Sequence, residues 1–94
     1  MWIITRDKLF EDGCDITPSR ANKVKSRNFN QDYFYLQELV KFKLFDDDGE
    51  LYYEGMMTKK YLESEDPFGP LDWAMADSGC TYLEYYEDGE WKQL

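Results

Sequence analysis

Val40-Lys41-Phe42-Lys43-Leu44-Phe45-Asp46-Asp47-Asp48-Gly49-Glu50-Leu51-Tyr52-Tyr53-Glu54-Gly55 is the stretch whose reading decides the fold. Val40, Phe42 and Leu44 alternate with Lys41 and Lys43. A period of two marks a strand with one buried face. Asp48-Gly49 then supplies residues that tolerate the positive φ of a tight turn. Leu51, Tyr52 and Tyr53 resume a strand. The pattern predicts a β-hairpin, with strands over about 38–45 and 50–57. Gly55 inside the second strand predicts a bulge or a close backbone approach.

The same chemistry recurs outward from this hairpin. Trp2-Ile3-Ile4-Thr5 is β-branched and aromatic, which predicts a first strand over about 2–6, with Leu9 and Phe10 folding back onto the core. Thr81 to Tyr86, Glu87-Asp88-Gly89-Glu90 and Trp91 to Leu94 read as a second hairpin with its own Asp-Gly turn. Thr81, Leu83 and Tyr85 face one way along it, and Tyr82, Glu84 and Tyr86 the other. Leu71, Ala74 and Met75 share one face of a short helix that opens at Pro70 and closes before Gly79. A helical turn capped by Asn30 is expected to carry Tyr33, Leu36 and Gln37 into the central hairpin. Residues 17–30 are the least legible. Thr17-Pro18 has helix-cap chemistry, yet Ala21 and Val24 make a poor buried face. The expectation is an irregular, mobile loop bearing Arg20, Lys23, Lys25 and Arg27, solvated or paired with acids of the same chain.

The 94 residues suit one domain with one core. The fold class that follows is α+β: a single antiparallel sheet of about five strands, two hairpins plus the N-terminal strand, packed on one short helix. The expected core is Ile3, Val40, Phe42, Leu44, Leu51, Tyr53, Leu71, Met75, Leu83 and Tyr85. Exposed sheet edges would offer a route to a homodimer.

Several stretches resemble a family of small bacterial proteins of uncharacterised activity. They are Trp2-Ile3-Ile4-Thr5, Asp46 to Gly55, Gly79-Cys80-Thr81 and Asp88-Gly89-Glu90-Trp91. The resemblance covers both ends and the middle hairpin but not the basic loop. It implies no activity, no cofactor and no site residue.

Composition narrows the function classes. The chain has no histidine, which removes the commonest general base, the Ser-His and Cys-His nucleophile pairs and His-containing zinc sites. No phosphate-binding glycine loop and no Cys-x-x-Cys motif occurs, so no cofactor is expected. Cys14 and Cys80 are too few for a secreted disulfide scaffold, which points to a reduced, cytoplasmic setting; their spacing neither requires nor forbids a bridge. No apolar run approaches membrane-helix length, and Arg6, Asp7 and Lys8 cut short any leader. Asp46-Asp47-Asp48-Gly49 invites a calcium reading, but Leu44 and Gly55 would fall where a helix–loop–helix calcium site needs carboxylates. A looser divalent site at Asp46, Asp48 and Glu50 is the alternative expectation, alongside small-ligand binding.

Charge and aromatic content give the better lead. Net charge is −9 and 18% of residues are aromatic. Residues 1–45 hold eight Lys/Arg and six Asp/Glu, whereas residues 46–94 hold three and fourteen. Such an acidic half repels nucleic acid and attracts basic partners. Tyr and Trp give large contact area at low entropic cost. The expected surface is Tyr52, Glu54, Trp73, Tyr82, Glu84, Tyr86 and Trp91. The expected function is a non-catalytic protein-interaction module that binds a basic protein, as an immunity protein or inhibitor does. Glu84, between two tyrosines, is the one carboxylate whose setting suits acid–base work.

Overall fold

The computed structural model describes residues 1–11 and 19–94. Cys14 and the Thr17-Pro18 cap lie outside the described residues. A five-stranded antiparallel sheet runs in the order β1-β3-β2-β4-β5. Its strands are β1 (Trp2–Asp7), β2 (Leu39–Phe45), β3 (Leu51–Thr58), β4 (Tyr82–Glu87) and β5 (Glu90–Gln93). Among the described residues the helices are α1 (Lys8–Glu11), α2 (Gln31–Phe34), α3 (Lys59–Leu62) and α4 (Gly69–Ser78). Among the described residues no helix is long and apolar enough to cross a membrane.

Alternation builds the core. Trp2, Ile4, Val40, Phe42, Leu44, Tyr53, Met57 and Leu83 project from one sheet face and meet Leu71, Ala74 and Cys80 from α4 and its exit. Leu9, Tyr61, Leu62 and Trp73 close around them. Gly79 ends α4 at φ 77°, and its N–H donates to the Met75 carbonyl. At the second hairpin Asp88 and Gly89 both have positive φ, as a two-residue type I′ turn requires. Gly55 sits in register with both Phe42 and Ile4. A side chain there would collide with the Phe42 ring and the Ile3 carbonyl, so the glycine answers a close approach. Two bulges accompany the sheet, one of them directly opposite the Glu54–Gly55 step. One is on β1 between Ile4 and Arg6, the other opposite the Leu44–Phe45 step.

Three expectations are corrected. Met75 is 51% exposed and Ala74 is the buried residue of that helical face, because α4 turns Leu71 and Ala74 to the sheet. In α2 the anchoring side chain is Phe34, fully buried, while Tyr33 and Leu36 are exposed. The Asn30 cap does form, its Oδ1 accepting the Tyr33 N–H at 3.1 Å. Phe34 packs against Phe29 and Tyr35 at ring separations of 4.9 and 5.0 Å, outside the main core cluster. Leu9 reaches the core, but Phe10 is half exposed.

The basic stretch has a structural role that its composition hid. Residues 22–26 run along the outer edge of β1. Ile4 N–H donates to the Val24 carbonyl at 2.9 Å, Asn22 N–H to the Ile4 carbonyl at 2.7 Å and Ser26 N–H to the Trp2 carbonyl at 2.9 Å. Trp2 N–H in turn reaches Ser26 Oγ at 3.1 Å. The segment is irregular, as its sequence suggests, and it satisfies an edge that would otherwise be open to another chain. Asp7, 2% exposed, fastens its start by accepting the N–H of Arg20 at 2.8 Å and that of Phe10 at 3.3 Å.

Candidate interaction surface

One face of the sheet packs on α4 and its exit. The other carries the residues that alternate with the core: Ile3, Arg6, Lys41, Lys43, Glu54, Met56, Tyr82, Glu84, Tyr86, Trp91 and Gln93; of these Ile3, at the start of β1, is 4% exposed and lies outside the main core cluster it was expected to join. Register aligns four charges in one row across four strands. Arg6 pairs with Glu54, Glu54 with Lys43, and Lys43 with Glu84, which faces Gln93 on β5. The sign therefore alternates plus, minus, plus, minus along the row. Arg6 Nη1 lies 2.8 Å from Glu54 Oε2. Lys43 Nζ lies 4.3 Å above the Trp91 ring, a cation–π contact that holds both side chains.

Rings border this row on both sides. Tyr86 and Trp91 pair across β4 and β5 at 5.2 Å and are 43% and 38% exposed. Toward the other end Tyr82 stacks on Phe45 at 5.0 Å with an interplanar angle of 13°. Thr5, Arg6, Lys41, Lys43, Glu54, Met56 and Trp91 line a shallow groove of about 370 Å³ on this face. Phe42 and Gly55, whose side-chain positions belong to the opposite face, complete its floor.

Five of the seven expected surface residues meet here: Glu54, Tyr82, Glu84, Tyr86 and Trp91. The other two do not join them. Trp73 belongs to α4 on the covered side and packs on Tyr53 at 4.8 Å. Tyr52 lies at the β3 bulge, and its hydroxyl is tied to Asp46, which raises its pKa. Arg6, Lys41 and Lys43 are functional candidates that the sequence reading passed over. Lysines alternating with apolar core residues did mark that face, but their strand partners were unknown.

The face is therefore aromatic but not acidic. Acids gather instead at the turns. Residues 46–50 and 87–90 cap opposite ends of the sheet, because β2 and β4 run antiparallel. Asp46 Oδ1 accepts the N–H groups of Asp48 and Glu50, each at 2.9 Å. Those bonds, chiefly the one from Glu50, hold its carboxyl below the usual range. Asp77 is also engaged, accepting a hydrogen bond from the Tyr53 hydroxyl at 2.8 Å and pairing with Arg20 at 3.3 Å. Among the described residues no group of three or more His, Cys, Asp or Glu is placed to hold a metal ion. Glu84 stands on the open face beside Lys43, not at the base of a cleft. The Cys80 thiol is free and buried, and burial pushes its pKa up. No model of a known protein family, no curated protein and no solved structure matches the chain.

Proposed function

We propose that the chain is a non-catalytic protein-interaction module of the immunity or inhibitor kind, which docks a basic protein on the sheet face that carries Trp91 and Tyr86. The observation that carries this reading is the pairing of half-exposed Trp91 and Tyr86 beside Lys43 and Glu84 on a rigid sheet. Rings already held by neighbours lose little freedom on docking and bring large contact areas. The charges around them are matched within the row, so a partner must answer their pattern, which gives specificity. The net charge of −9 acts at longer range and favours encounters with basic proteins. The divalent-ion alternative draws no comparable support, since Asp46 is committed to its own turn.

Capture from the native host with the wild-type chain and with a Trp91→Ala/Tyr86→Ala double variant tests the reading. The expected result is a basic protein retained by the wild type, lost from the variant, and released as salt rises and the screening length falls below about 8 Å. A partner held equally by both chains would overturn it, as would salt-insensitive binding.

A further inference from the structure

We infer that the face bearing the charge row also binds a second copy of this chain, as a two-fold dimer whose axis runs parallel to the strands between β2 and β3. This rests on the reading of that face as a docking surface and names its occupant when the chain is alone. The order of the charges carries it. Across β1, β3, β2 and β4 the row reads Arg6, Glu54, Lys43, Glu84. Reversing such a row inverts every sign.

A two-fold along the strands performs that reversal. It lays β1 of one copy over β4 of the other, and β3 over β2. Arg6 then faces Glu84 of the second copy, and Glu54 faces Lys43 of the second copy. Symmetry makes each pairing twice. A two-fold running across the strands would instead set every charge on its own copy, plus on plus and minus on minus. The row thus distinguishes between the two ways of closing the face on itself.

Edge pairing is the competing route to a dimer, and the fold restricts it. Residues 22–26 occupy the edge of β1, and the remaining edge, β5, is four residues long. The face is larger. Five strands at about 4.8 Å spacing and about five residues at 3.3 Å give roughly 400 Å² per copy. Over both copies that is roughly 800 Å², below the ~1,000 Å² that a stable interface clears, so the pairing is weak and reversible and exchanges with other partners. Aligned sheet packing tolerates crossing of about 30°, which accommodates the twist. The dimer and the complex with a basic protein use one surface and exclude each other.

Sedimentation velocity on the full chain, up to about 1 mM, tests the inference. The expected mass rises from 11.3 kDa toward twice that value. Glu84→Lys alone and Arg6→Glu alone should each weaken the dimer about tenfold or more, because each sets like charges together twice. An equimolar mixture of the two variants should recover the wild-type association. The two reversed charges then face each other, and the unaltered Arg6 and Glu84 meet on the other side of the axis. Circular dichroism reports whether each variant folds. If a reversal does not, Glu84→Gln and Arg6→Gln should weaken the dimer in the same sense. A wild-type chain that stays monomeric overturns the inference, as does a dimer indifferent to these changes or a mixture that recovers nothing. A monomeric chain that still captures a basic protein through Trp91 overturns only the self-pairing. A dimer sensitive to these charges, whose Trp91→Ala/Tyr86→Ala variant captures the same proteins as the wild type, overturns only the basic-partner reading.

Discussion

Single residues decide how closely the strands approach the core. Gly55 is the tightest case, with the Phe42 ring and the Ile3 carbonyl in the space a side chain would need. Gly55→Ala should cost about 1–3 kcal/mol of stability, because neither the ring nor the backbone can retreat without disturbing β1 and β2. Urea denaturation would show this as a lower midpoint with an unchanged slope. Asp46 works at the same scale through hydrogen bonds. Its carboxyl pKa is held below the ordinary carboxylate value, chiefly by the Glu50 N–H that the folded turn donates to the charged form, with the Asp48 N–H adding to it. For a depressed carboxyl, the stabilising contribution is present above the unfolded pKa and is lost as pH falls through the folded one. A carboxyl titration by NMR should therefore place the Asp46 midpoint lower in the folded chain than once urea unfolds it.

Adjacent helix positions differ sharply in burial. Ala74 is fully buried beneath α4, whereas Met75, the next residue, is half exposed. Ala74→Leu should destabilise by about 1–3 kcal/mol through overpacking. Met75→Ala should stay within about 0.5 kcal/mol. Thermal melts of the two variants would separate them, and the reverse order would mean that α4 is rotated. The spacing of Leu71, Ala74 and Met75 correctly indicated a helix and a face, but a period of 3.6 leaves the centre of the buried stripe uncertain by one position. In α2 the same limit acts more strongly. Four helical residues are too few to define a stripe, so Phe34 could not be singled out from Tyr33 and Leu36.

Across the whole molecule, the two sheet edges and two sheet faces are treated differently. One edge is occupied by residues 22–26; one face packs on α4, and the other carries the row of alternating charges. The Ile4 amide, bonded to the Val24 carbonyl at 2.9 Å, should exchange its hydrogen as slowly as amides of the central strands. Ser26→Pro removes the donor to the Trp2 carbonyl, so it should speed exchange at Ile4 and lower the melting temperature. Unchanged protection in that variant would show that the segment does not seal the edge.

Alternation and turn chemistry are local, and the sequence by itself determined what depends on them: both hairpins, the first strand, the α4 boundaries and the α+β class. Val40, Phe42 and Leu44 announce their face whatever lies beside them. The partners of those residues are set at long range, and only the tertiary structure decided them. Strand order put Arg6 beside Glu54 and Glu84 beside Lys43, and that order turned an expected acidic face into an alternating one. Residues 22–26 gained their place from β1's unpaired backbone groups, whose demand for hydrogen bonds no side-chain pattern in the segment records.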